Sequence, residues 1–114
     1  MIAKIFVRLD DTLDDLVAGL GGDMIGRFPS GFLSIAHLRC TVQRNPDRNL
    51  WMADPEGFLY FPFTVEVVND LAPQADCVGP LRLLLNALVE LGATYVVASD
   101  LEEALGQESR NDVP

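Results

Sequence analysis

The chain predicts an α+β domain: a four-stranded antiparallel sheet with two helices packed on one of its faces. Three observations carry that expectation. Apolar residues alternate with a period of two in separate runs at residues 2–9, 32–44 and 58–67. Two other runs, 12–22 and 76–92, place Leu and Val three and four residues apart, as a half-buried helix requires. A chain of 114 residues also buries about two-thirds of its unfolded surface. One core therefore suffices without a metal or a disulfide. Residues 1–105 are expected to form this single domain, and 106–114 a polar, flexible tail.

The elements follow in order. In "IAKIFVRL" the residues Ala3, Ile5, Val7 and Leu9 face one way, and Ile2, Lys4, Phe6 and Arg8 the other. "TLDDLVAGLGG" reads as a short amphipathic helix, with Thr12 and Asp15 as a capping box and Gly21 and Gly22 as the stop. The second strand spans 32–44 without a break, placing Ala36, Leu38, Cys40 and Val42 inward and Ile35, His37, Arg39, Thr41 and Gln43 outward. "NPDRNLWMADPEG" is a long loop, rich in turn residues but carrying Trp51 and Met52. The third strand turns Leu59, Phe61, Phe63, Val65 and Val67 inward and Phe58, Tyr60, Pro62, Thr64 and Glu66 outward.

Pro62 has no N–H to give, so it is expected to mark a bulge or a gap in pairing. Helix two buries Val78, Leu81, Leu84, Leu85, Leu88 and Leu91, leaves Leu83 outside that stripe, and stops at Gly92. "TYVVASD" is the last strand, and Ser99 or Asp100 can cap one further helical turn. Strand, helix, strand, strand, helix, strand closes most economically as two split right-handed βαβ units with strand order 4-1-3-2. That is the ferredoxin-like sandwich, with one sheet face uncovered.

Composition narrows the function classes. Seventeen acids stand against 8 bases, a net charge of −9, which repels phosphate backbones and favours a cationic partner. The 2 cysteines are too few for a disulfide framework and fit a reducing, cytoplasmic setting. No run approaches the length of apolar chain that spans a bilayer, and no secretory leader is evident.

Catalytic patterns are weak, and no enzymatic activity is expected. His37 and Cys40 fall on opposite faces of the predicted strand, so they do not pair. The acid pairs Asp10–Asp11 and Asp14–Asp15 lack the spacing of a calcium loop. "GLGG" follows a helix, where a phosphate-cradling loop would precede one. No cofactor and no metal is implied.

Two resemblances add to this reading. "KIFVRL" and "EGFLYFPF" resemble the paired signatures of RNA-recognition motifs, which would make Phe6, Phe58 and Tyr60 a base-stacking platform. Glu56 replaces the basic residue of that pattern and Leu59 its small one. Across most of residues 2–105, "RLDD", "GFLYFPF", "VEV" and "VVASDLEE" resemble small acidic bacterial immunity proteins of polymorphic toxin systems. That resemblance implies a protein that binds one cognate toxin and blocks it, and the acidic charge of the chain makes a basic toxin the expected partner.

The expected topology gathers Asp10, Asp11, Asp14, Asp15, Asp47, Asp54 and Glu56 at one rim, and Glu66, Asp70, Asp76, Asp100, Glu102 and Glu103 at the other. The candidate partner-binding set is Asp10, Asp11, Asp14, Asp15, Trp51, Asp54, Glu56, Phe58 and Tyr60, acids to steer a cation and aromatics to anchor it. A homodimer or small-molecule-binding module that uses the open sheet face is the remaining alternative.

Overall fold

A computed structural model of the chain describes residues 2–25, 30–45, 61–69, 77–98 and 106–111. In chain order these form β1 (Ala3–Arg8), α1 (Leu13–Gly19), β2 (Asp23–Ile25), β3 (Ser30–Ile35), β4 (Leu38–Arg44), β5 (Phe63–Asn69), α2 (Val78–Glu90) and β6 (Thr94–Ala98), followed by a 3-10 turn at Gly106–Ser109. The class is α+β. One sheet runs β2-β3-β4-β5-β1-β6, with every neighbouring pair antiparallel.

This corrects the four-stranded expectation. The anticipated neighbours are present as β6-β1-β5-β4, but the sheet continues through β3 to β2, giving six strands among the described residues. The cause is a tight turn inside the segment read as one strand. Ile35 pairs with Leu38, so Ala36 and His37 alone reverse the chain. A two-residue hairpin needs a positive φ, and Ala36 adopts it at 54°. No Gly, Asn or Pro marks this turn, so composition gave no signal for it. After the reversal, odd positions of β3 share a face with even positions of β4: Leu33 lies opposite Cys40. Leu33 thus joins the core, and Ile35, expected on the open face, packs against the core too.

The core lies between the sheet and both helices. Ile5 and Val7 of β1, Cys40 and Val42 of β4, Val65 and Val67 of β5 and Tyr95 and Val97 of β6 meet Leu13, Leu16 and Val17 of α1 and Leu81, Leu84, Leu85 and Leu88 of α2. The inward parities expected for β1, β4 and α2 hold, and Leu83 stands exposed beyond the stripe. Helix α1 comes unusually close to the sheet because Gly31 lies beneath it, where a methyl group would overlap the Val17 side chain.

Pro62 stands outside the third strand, which in the described residues begins just after it. Pairing on both sides of β5 starts at Phe63, opposite Val7 and Arg44, and Pro62 lies just outside the ladder. Residues 58–60 of the expected strand lie outside the described residues. The break alters parity: Phe61, read as facing the helices, instead packs with Phe6 and Val96 on the opposite face. Asn45 holds this kink, its backbone N–H donating to the Pro62 carbonyl at 2.8 Å and its amide to the Phe61 carbonyl at 2.9 Å.

The capping turn expected at Ser99–Asp100 lies outside the described residues. Where the sequence suggests a frayed tail, the 106–111 segment docks on β6. Arg110 bridges to Val96, Asn111 N–H donates to the Tyr95 carbonyl, and its amide donates to the Ala93 carbonyl at 3.0 Å.

Two substitutions test the fold. Ala36→Gly relieves the positive φ of the turn and is expected to raise unfolding stability by about 1 kcal/mol, the usual left-handed penalty less the entropy of glycine. Gly31→Ala drives a methyl into Val17 and is expected to cost about 1–3 kcal/mol. Urea midpoints of the two variants measure both.

Candidate functional site

The end of β1 and the start of α1 carry the acidic cluster. Asp10, Asp11, Asp14 and Asp15 are all exposed. Local chemistry fixes them in place. Thr12 is the N-cap in extended conformation, its hydroxyl accepting from the Asp15 N–H at 3.1 Å, while its own N–H donates to Asp11 Oδ1 at 3.1 Å. The capping box anticipated between Thr12 and Asp15 is thus half formed by Asp15 and half by Asp11. Two carboxylates in the first turn, Asp14 and Asp15, sit where the helix dipole favours negative charge.

Asp11 and Asp15 hydrogen-bond through their side chains, and the pair separates their affinities for a proton. The bond to Asp15 holds the Asp11 carboxyl above its ordinary value of 3.8, against the opposing pull of the Thr12 N–H. The same bond, helped by the Thr12 hydroxyl, holds Asp15 below it. As pH falls, Asp11 is therefore the one of the pair that takes up a proton first, while Asp15 keeps its charge.

A shallow groove of about 370 Å³ adjoins this cluster, lined by Asp11, Thr12, Leu13, Arg44, Asn45, Pro62 and Phe63. It lies where β1 and β4 end and β5 begins, so the Pro62 kink shapes its wall. Arg44, Asn45 and Phe63 were not expected in a site. Asn45 carried the one usable signal, a small polar residue directly after a strand, beside a proline-rich loop. The other proposed contacts, Trp51, Asp54, Glu56, Phe58 and Tyr60, lie outside the described residues, as does Asp47.

The sheet face away from the helices is less open than the sequence suggests. Phe6 is only 5% exposed, because Phe61 and Val96 cover it. Lys4 stands 5.3 Å from the Phe6 ring centroid and Arg8 5.1 Å from that of Phe61, so cations line this patch. Thr64, between these rings and β4, is fully buried, and its hydroxyl finds no hydrogen-bond partner among the described residues.

Further along this face, Phe32 is exposed, and with Asp23, Ser34 and Arg39 it borders a second groove of about 480 Å³. No group of three potential metal ligands occurs among the described residues. No helix among them is long and apolar enough to cross a membrane. Compared with protein-family models, curated proteins and solved structures, the chain gives no match.

The carboxylate pair has a measurable signature. As pH falls, Asp11 is expected to take up its proton before Asp15, which stays charged to lower pH. Side-chain carboxyl chemical shifts, followed by NMR through the acid range, resolve that order; Asp11→Asn keeps a donor and should leave Asp15 low.

Proposed function

We propose that the chain is a non-enzymatic acidic binding protein that docks a basic protein through the β1–α1 end and so neutralises a cognate toxin. The observation that carries this reading is the run of four exposed aspartates, Asp10, Asp11, Asp14 and Asp15, held by a helix cap beside an open groove. In a chain of net charge −9, such a surface attracts a cationic partner and sets its approach. The groove offers the partner a concave seat, with Phe63 and Leu13 as apolar floor and Asn45 as a polar wall.

RNA binding draws less support. Its platform requires an exposed ring at Phe6, and that ring is buried against Phe61 and Val96. The phosphate repulsion of a strongly acidic chain acts in the same direction. Topologically, we read β6-β1-β5-β4 with its two crossover helices as a ferredoxin-like core, lengthened at one edge by β3 and β2.

The test is co-expression with the product of the neighbouring reading frame. Restored growth and a stoichiometric, salt-sensitive complex are expected from the native chain. With D10N, D11N, D14N and D15N combined, the association rate should fall about ten- to a hundredfold at low salt. An unchanged rate in that variant removes the acidic end from the interface. A stable homodimer with no other ligand, seen by light scattering, favours the sheet-face module.

A further inference from the structure

At the end of the sheet opposite the acidic cluster, two residues far apart in sequence meet. Cys77 Sγ lies 3.8 Å from His37 Nε2. His37 is the second residue of the tight β3–β4 turn, and Cys77 is the N-cap of α2. Both are partly exposed. Read as a continuous strand, 32–44 buries this juxtaposition; the turn creates it.

We infer that Cys77 is a reversible thiol-modification site that exchanges with small disulfides of the glutathione class, with His37 carrying the proton. The chemistry follows from the geometry. In the tautomer protonated at Nδ1, His37 Nε2 is an acceptor, placed to take the thiol proton. The freed sulfur stays beside the imidazole that took its proton. It attacks one sulfur of the disulfide, the S–S bond breaks, and a new Cys77 S–S bond forms. The departing thiolate recovers the proton from His37 and leaves as a thiol. Cys77 is oxidised as the leaving sulfur is reduced, so electrons and protons balance, and excess thiol reverses the step.

The second cysteine is the internal contrast. Cys40 is fully buried in β4, and burial pushes its thiol up to about 11. It has neither access nor a charged form near neutral pH. One thiol of two should therefore react in the native chain.

Oxidised glutathione and a chromogenic aromatic disulfide are the probes, with intact mass and thiol-release kinetics as readouts. The native chain should gain one glutathionyl group at Cys77, and Cys77→Ser should gain none. Cys77 should react about tenfold faster in the native chain than in the urea-unfolded chain, and His37→Gln should remove that advantage while leaving the unfolded rate unchanged. An unchanged rate in a folded His37→Gln variant overturns the proposal. Should that variant fail to fold, the native-to-unfolded ratio decides: a native rate no faster than the unfolded one overturns it equally. The assay needs no toxin partner, and run on the aspartate-neutralised chain it separates this site from the β1–α1 interface.

Discussion

The two-residue turn at Ala36–His37 is the constraint on which most of the architecture depends. Pairing of Ile35 with Leu38 fixes the register of β3 on β4, and that register brings Leu33 opposite Cys40 and Gly31 opposite Val42. Had the chain run straight, one strand would have carried both sets of side chains and the sheet would have ended there. The reversal instead adds a strand, and a second reversal adds β2, which pairs through Asp23–Phe32 and Met24–Gly31. The larger sheet gives α1 a floor of its own, across β2, β3 and β4. A positive φ at an alanine is the conformational cost of this arrangement, and the burial of Leu33 and Gly31 under α1 offsets it.

Close approach then replaces bulk at the α1 contact. The helix is only seven residues long, too short to persist alone in water, so its order comes from its cap and from packing. Leu13, Leu16 and Val17 are its buried residues, and Val17 rests on the bare backbone at Gly31. Because Asp10 and Asp11 immediately precede that helix and Asp14 and Asp15 lie in its first turn, the same packing that fixes α1 also fixes the charged cluster. Structural and functional demands meet in the segment 10–17.

What the sequence made legible was what depends on local period. The inward residues of β1, β4 and α2, the Thr12 cap and the place of Pro62 outside the ladder all follow from spacing or from the chemistry of one residue. What it hid depends on partners remote in the chain. The Ala36–His37 turn lacks turn residues, and its alternating flanks mimic one strand. Phe61 changed faces because Pro62 released the chain from the ladder, and the Asn45 amide then fixed the new direction. In the candidate site the exposed aspartates were legible, since acids before and within a first helical turn are a local signal. Arg44 and Asn45 were not, because their place beside Asp11 comes from β4 and β1 both pairing with β5.

The two ends of the sheet carry chemistry of different kinds, separated by the length of a six-residue strand, roughly 20 Å. At one end, charge sits on short, well-capped side chains in full solvent, an arrangement suited to long-range attraction and weak in any single contact. At the other, a thiol and an imidazole meet in a half-buried corner, where small displacements decide whether a proton can pass. Strands β4 and β5 link the two ends directly: Leu38 pairs with Asn69 beside His37, and Arg44 pairs with Phe63 beside the groove. A group attached at Cys77 would bear on the β3–β4 turn, and that turn sets the register of β3 and thus the floor beneath α1. The Cys77 contact and the floor of α1 therefore both rest on one element, the hairpin that the sequence did not announce.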